Sequence, residues 1–484
     1  MTTIKLDPGA ALLLDALHGA GHAAYAVGGC VRDSLLGLDP HDWDLCTSAR
    51  PEQVMALFGE EKCIPTGLQH GTVTVKQGGR LYETTTFRTE GAYSDGRHPD
   101  AVCFVPDVRE DLARRDFTIN AMAYSAEEGL IDPFGGRDDL AAHLVRAVGE
   151  PERRFEEDAL RILRLYRFAA RFGFAIDPAT GAAARALGPH LDCVSAERIQ
   201  EELLKLLAAP RPGSYLEPAV LAVILPELEP EKQPERFTEL CRTIDRIEPT
   251  AENVPTRLAA LLCPLGEAGA RKALRKLKCS NALTDEVTAL EREAGGGAGS
   301  FLLGHEFELR HPADALCLER HSHPAGRCPN SNSLFPPQAA VVAVAGHSIA
   351  RPIACGNRVP PQRTVLGETP GTPNTTLTVQ AKRLLGRYEL PTIQRLTALC
   401  SARHPEQAEA FAALRAEAER LTAENACCRV SQLAVNGHDL MAAGVRPGPG
   451  LRQVLNALLE VVITGQTPNE KDALLAAAAQ FSAS

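Results

Sequence analysis

The chain has 484 residues, 44% of them hydrophobic and 23% charged, with a formal net charge of −10. These fractions are ordinary for a folded globular protein; they exclude collagen, coiled-coil and disordered architectures, and the length allows about two to four domains. The negative balance argues against a nonspecific nucleic-acid coat but leaves room for a local basic groove.

Residues 1–21 carry Lys5, Asp7 and Asp15 around a short apolar run, which is neither a signal peptide nor a membrane span. No later window offers about 20 uninterrupted apolar residues, so no membrane partner is expected. Residues 22–27 (HAAYAV), 71–75 (GTVTV) and 81–87 (LYETTTF) read as strands. Residues 51–58 read as an amphipathic helix with Thr47 and Ser48 as cap candidates. The head is therefore mixed α/β. From Phe155 the period becomes 3.6, with Leu160, Leu163, Phe168 and Phe172 spaced for a buried stripe. Helical patterns continue to about Ala289, broken by prolines at 210–212 and 226–234. Residues 295–299 (GGGAG) form a linker signal. Residues 320–367 hold five Arg and seven Pro but no Asp, Glu or Lys, and are expected to pack poorly. Helical character returns near Ala381, and the tail contains GHDLMAAGVRPGPG at 437–450. The fourteen cysteines include no C-x-x-C pair, and Cys427 and Cys428 are expected to diverge on a helix. Reduced thiols in a cytoplasmic protein follow.

Three motifs carry chemistry. Gly28-Gly29-Cys30-Val31-Arg32-Asp33 follows a strand, and Asp42-Trp43-Asp44 comes shortly after. A glycine pair at a strand end lets backbone amides approach phosphate oxygens, and Arg32 can pair with a triphosphate. On a strand, Asp42 and Asp44 face the same side, and two such carboxylates call for a cation; oxygen-only ligands favour Mg²⁺. The second motif is DLARRDFTIN (111–120), where Arg115 and Asp116 are candidates for a phosphate or ribose contact. Read blandly, Asp116 starts a helix containing Ile119, Met122 and Ala123. Residues 132–136 (DPFGG) have the chemistry of a turn. In the third motif Asp158, Arg161, Arg164 and Arg167 step by three along one helix flank. Asp accepts from the exocyclic amine of cytosine or adenine, and Arg donates to ring nitrogen or carbonyl acceptors. The competing reading is surface ion pairing of Glu157 with Arg161, worth about 0.3–0.5 kcal/mol.

Together these motifs resemble the class II nucleotidyltransferases, most closely the bacterial CCA-adding tRNA nucleotidyltransferases. GGCVRD with DWD resembles the catalytic motif, DLARRDFTINAMAY the second, DPFGG the hinge, EDALRILRLYRFAARF the nucleotide-selecting motif, and residues 195–207 (SAERIQEELLKLL) the motif after it. The likeness covers about residues 20–230 and returns in the tail at NGHDL and GVRPGPGL. It implies an α+β chain: a polymerase-β-like α/β nucleotidyltransferase head, then an all-helical neck, body and tail in an elongated arrangement. It implies Asp42 and Asp44 as catalytic metal ligands for Mg²⁺. It implies nucleotide contacts from Gly28, Gly29, Arg32, Arg115, Asp116 and Asn120, and a base-selecting pocket of Asp158, Arg161, Arg164 and Arg167. The implied partners are tRNA, CTP and ATP, with no obligate protein partner.

The expected division is a catalytic head at 1–140, a neck at 141–212, a body at 213–300, an atypical segment at 301–380 and a tail at 381–484. Residues 88–107 resemble the loop that this family links to accepting ATP after CTP, which disfavours a CC-only enzyme. An A-adding enzyme, a bacterial poly(A) polymerase and a tRNA-binding protein without catalysis are the competing readings. Residues 261–266 (LLCPLG) lack the His-Asp pair of relatives with a phosphohydrolase domain, and His438-Asp439 is read as structural. For tRNA, the best candidate is Arg271, Lys272, Arg275, Lys276 and Lys278, five basic residues in eight, with Leu274 and Leu277 packing behind.

Overall fold

The computed structural model describes residues 3–90, 102–294 and 375–481. In chain order the head contains α1 (Pro8–Gly19), β1 (Ala24–Val27), α2 (Gly29–Leu35), β2 (Leu45–Thr47), α3 (Pro51–Phe58), β3 (Cys63–Gly67), β4 (Thr72–Gln77), β5 (Arg80–Thr86), β6 (Arg88–Glu90), β7 (Val102–Phe104), α4 (Val108–Ala113), β8 (Ala123–Ser125), β9 (Gly129–Ile131) and α5 (Gly136–Ala141). Seven strands form one sheet in the order β3-β4-β5-β2-β1-β8-β9. All neighbours are antiparallel except β2 and β5, which run parallel with Leu45 opposite Thr84. The apolar runs predicted as strands supply β1, β4 and β5; β1 is buried along its whole length, as a central strand covered on both faces must be.

Helix α3 matches the predicted 51–58, but Thr47 and Ser48 do not cap it. Thr47 ends β2 and its hydroxyl donates to the Ala23 carbonyl, while the Ser48 hydroxyl accepts from the Ala23 N–H. The cap comes from Gln53, whose side chain accepts from the Arg50 N–H at 2.8 Å. Of the loop expected at 88–107, residues 91–101 lie outside the described residues; the flanks pair as the antiparallel β6–β7. The DPFGG turn forms as expected. Asp132 accepts from the N–H groups of Gly136 and Arg137, and a side chain at Gly136 would overlap the Thr118 carbonyl, its Cβ only 2.2 Å from that oxygen.

The helical remainder begins with a two-residue parallel ladder, β10 (Leu144–Val145) with β11 (Ala175–Ile176), a departure from an all-helical neck. Around it lie α6 (Pro151–Glu157), α7 (Leu160–Phe172), α8 (Pro178–Ala186) and α9 (Ala196–Leu207). Leu160, Leu163 and Phe168 are buried as expected, and Phe172 is half-buried with its ring stacked on Phe168. Then follow α10 (Pro218–Ile224), α11 (Pro234–Arg246), α12 (Val254–Leu262), α13 (Gly266–Lys276), α14 (Asn281–Ala294), α15 (Thr375–Arg387), α16 (Leu390–Arg403), α17 (Ala408–Ala423), α18 (Gly437–Ala442), α19 (Pro449–Ile463) and α20 (Lys471–Phe481). Among the described residues no strand follows β11. The GGGAG linker and residues 320–367 lie outside the described residues.

Arg257 on α12 is fully buried. Its guanidinium donates to the carbonyls of Leu207, Ala209, Pro210 and Ile247, which closes the ends of α9 and α11. The last three helices pack a core of their own around Leu440, Leu458 and Leu474. There Asp439 accepts from the Asn436 N–H and pairs with Lys471 at 2.6 Å, which gives Asp439 a structural role. Cys427 and Cys428 are not helical: α17 ends at Ala423 and both lie in the connection that follows.

Glu291, on α14, is 2% exposed, and neither carboxylate oxygen has a hydrogen-bond partner. Burial pushes its pKa up to about 7, with Arg403 opposing. A carboxyl whose pKa is raised on folding destabilises when ionised. The penalty is absent below the unfolded value, grows up to about pH 7 and is full above it. Glu291→Gln is therefore expected to raise stability at pH 8 by about 3 kcal/mol, with the gain vanishing near pH 4. Urea midpoints of both proteins across that range check it.

Candidate active site

The site begins where β1 ends. Gly28 has φ 76°, and a Cβ there would lie 2.7 Å from Arg115 Nη1, so glycine is required on both counts. Its N–H donates to the Met122 carbonyl, tying the turn to the segment before β8. Asp42 and Asp44 sit in the irregular segment just before β2, exposed on either side of the buried Trp43. The Val27 N–H donates to the Asp44 carbonyl at 2.9 Å, which aligns the pair with the Gly28 turn.

A third carboxylate, Glu83, was not apparent in the sequence. It precedes Thr84, which stands opposite Leu45, so the parallel register of β2 and β5 sets it beside Asp44. The Asp44 side chain is open to solvent, yet surrounding protein raises its pKa to about 6, with Glu83 and Asp42 adding and Arg115 opposing. Among the described residues there is no group of three or more His, Cys, Asp or Glu arranged to hold a metal ion. The Asp42–Asp44 pair is nonetheless an oxygen-only donor set in like-charge repulsion, which fits a hard cation whose remaining ligands come from elsewhere.

The second motif is more tied down than expected. Asp111 is fully buried and pairs with Arg114 at 2.8 Å and Arg115 at 3.4 Å. Asp116 starts no α-helix: only a single 3₁₀ turn, Thr118–Asn120, precedes β8. Its carboxylate instead accepts from the Phe117 N–H, the Asn120 amide and, at 2.9 and 2.5 Å, from Arg164 Nε and Nη2. Burial alone would raise its pKa, but Arg164 and Asn120 outweigh that and hold it well below the usual carboxylate range. Arg32 is buried as well: it donates to Asp33 and to the side-chain oxygen of Asn120, and stacks over Phe168 and Phe172.

In the third motif Asp158 is not on the helix. It occupies the break between α6 and α7 with φ −147° and ψ 103°, and α7 starts at Leu160. The Glu157–Arg161 pair exists at 2.8 Å, but Arg161 is only 8% exposed, so this is no solvated surface pair. Arg167 donates to Glu202 of α9 at 2.5 Å. The residues held by these contacts converge. Every candidate catalytic and nucleotide-contacting residue lines one cavity of about 710 Å³. Phe168, Arg114, Arg171, Arg198 and Lys205 join them, and the wall carries nine cationic side chains against four carboxylates. On a chain of net charge −10, that concentration selects for a polyanionic ligand.

Comparison with known proteins shows the family. Residues 24–146 match the poly A polymerase head domain, 173–232 an RNA- and SrmB-binding site of polymerase A, and 387–478 a tRNA nucleotidyltransferase domain 2. A CCA-adding enzyme of Levilactobacillus brevis is 33% identical over 468 residues, covering 96% of each chain. The chain belongs to the CCA-adding enzyme family. A member from Lactobacillus helveticus is 43% identical over 277 residues, 57% of this chain and 68% of that one. Several other alignments at higher identity span about half of the relative's length. The crystal structure of the Bacillus stearothermophilus CCA-adding enzyme with CTP superposes with a TM-score of 0.68 at 29% identity, covering 98% of both chains.

The basic stripe expected to meet tRNA is partly consumed by internal contacts. Arg271 bonds Asp285 and Thr288, Lys276 reaches the Ile224 carbonyl, and Lys278 pairs with Glu197 at 2.6 Å. Lys272 and Arg275 are exposed, and Leu274 and Leu277 are buried behind them as predicted. No helix among the described residues is long and apolar enough to cross a membrane.

Proposed function

We propose that this chain adds CCA to the 3′ end of tRNA from CTP and ATP, releasing pyrophosphate, without a nucleic-acid template. The observation that carries the reading is the convergence, in one cationic cavity, of a carboxylate pair with an acceptor–donor pair suited to a base edge. The 3′-hydroxyl attacks the α-phosphorus of the bound nucleotide. Asp42 and Asp44 would hold Mg²⁺, which when bound neutralises charge on the attacking and leaving oxygens. The cationic wall binds the triphosphate, and Asp158 accepts from the exocyclic amine while Arg161 donates to the ring acceptors. The work divides between a catalytic head (1–140), a base-selecting neck (141–212) and a body and tail that carry the tRNA. Its free thiols, eleven among the described residues, suit a reducing cytoplasm.

The test offers purified protein tRNAs ending before, within and after CC, with CTP and ATP separately and together. Addition of all three nucleotides is expected; A alone identifies an A-adding enzyme, and long A tails a poly(A) polymerase. Uracil and guanine present a carbonyl opposite Asp158, so Asp158→Ala is expected to raise UTP and GTP incorporation relative to CTP and ATP by about 10–100-fold. Competition assays with paired nucleotides measure it. For the stripe, Lys272→Ala with Arg275→Ala is expected to raise KM for tRNA more than KM for ATP. It should also lower the slope of log affinity against log salt by about two units. Filter binding at several salt concentrations reads that slope.

A further inference from the structure

Asp158 does not stand free in the cavity. Its Oδ1 accepts from the Leu160 N–H at 3.1 Å and its Oδ2 from Arg198 Nη2 at 2.8 Å. The first bond comes from the next turn of its own chain, the second from α9. The two side chains are 16% and 22% exposed and both line the cavity, so the contact lies on its wall. Each carboxylate oxygen has two lone pairs and keeps one acceptor direction open, and Arg198 governs where that of Oδ2 points.

Arg161 is anchored more heavily. Its Nη1 donates to Glu157 at 2.8 Å and to the Arg154 carbonyl at 3.2 Å, and its Nη2 to the Arg114 carbonyl at 2.9 Å. Those bonds leave Nε–H and one Nη2–H as a single edge for a ligand. The donor half of the pair thus has three anchors. The acceptor half has one beyond its own turn, and a carboxylate turns easily about its terminal torsion, whose preference is broad.

We propose that Arg198 is a specificity-determining positioning residue, which by holding Asp158 Oδ2 sets the direction from which that carboxylate accepts an exocyclic amine. The inference rests on reading Asp158 and Arg161 as the base-edge pair. Arg198 acts through Asp158 and does not itself touch the base. With Arg198 gone, the Leu160 bond alone leaves the carboxylate plane free to turn. The bond to an amine weakens, the opposition to a carbonyl fades, and amino bases lose their advantage over keto bases.

The experiment measures kcat/KM for CTP, UTP, ATP and GTP with wild type, Arg198→Met, Arg198→Lys and Asp158→Ala on one tRNA substrate. Arg198→Met is expected to cut the CTP/UTP and ATP/GTP ratios by about tenfold, the scale of one base contact, and Arg198→Lys to recover most of the loss. Adding Arg198→Met to Asp158→Ala is expected to change the ratios no further. Unchanged ratios overturn the proposal, and so does an equal rise in KM for all four nucleotides, which would make Arg198 a phosphate contact. Ratios relaxed in Asp158→Ala but not in Arg198→Met overturn this inference alone. Ratios unaltered in both overturn the base-edge reading itself. Should the methionine variant fail to fold, Arg198→Gln takes its place with the same expected loss of selectivity.

Discussion

Asp42→Ala is expected to abolish incorporation of both CTP and ATP while leaving tRNA affinity close to wild type. Asp42 and Asp44 both line the cavity, and as the proposed cation ligands they leave, once either carboxylate is removed, one donor group where the site offers two. Charge stabilisation by such an ion is worth several kcal/mol, so the single-turnover rate should fall by at least about a thousandfold. Asp44→Asn should fall as far. Both variants should keep the wild-type fold, because Asp42 and Asp44 are solvent-facing and the fold contact at this point is the backbone bond from Val27 to the Asp44 carbonyl. Rapid-quench incorporation beside tRNA filter binding checks both halves, and a variant that still adds CTP at near wild-type rate removes the metal assignment.

The largest effect on stability is expected from Arg257→Met. The substitution keeps much of the apolar stem but leaves the carbonyls of Leu207, Ala209, Pro210 and Ile247 without their shared donor, three of them on buried residues. A buried acceptor without its partner costs about 1–3 kcal/mol, so a loss of at least about 3 kcal/mol is expected even if water reaches some of them. Guanidinium denaturation measures it. Because the lost bonds hold the end of α9, which carries Arg198 and Glu202, nucleotide selection should loosen in the same variant before the fold is lost.

Much of this site could be read in the sequence because its residues sit in continuous stretches whose chemistry does not depend on distant partners. Gly28, Asp42 and Asp44 are legible in that way, and Asp158 and Arg161 as residue types though not in the contacts that hold them. What could not be read depends on register or tertiary contact. Glu83 joins the carboxylates only because β5 runs parallel to β2, a pairing between segments distant in sequence, as the Leu45–Thr84 register shows. Asp116 reads as a helix start because its short polar side chain suits a cap. Its true partner, Arg164, is 48 residues away. The break at Asp158 was hidden because the apolar spacing runs through it without interruption. Nothing local to Arg257 announces that four carbonyls converge on it. The sequence puts Cys427 and Cys428 on a helix because the pattern of α17 gives no stop signal before Asn425, whose φ of 51° ends the helix geometrically.

The order in which the chain supplies the cavity sets a timetable for its synthesis. The sheet carrying Gly28 closes only when β8 and β9 arrive beyond residue 123, and the last cavity residue in sequence is Lys205 on α9. At about 5–20 residues per second, a ribosome needs roughly 10–35 s to travel from Gly28 to Lys205. During that interval the glycine turn and the aspartate pair exist without the arginines of α7 and α9 that complete the pocket. The cavity is therefore incomplete until the chain has been made through Lys205.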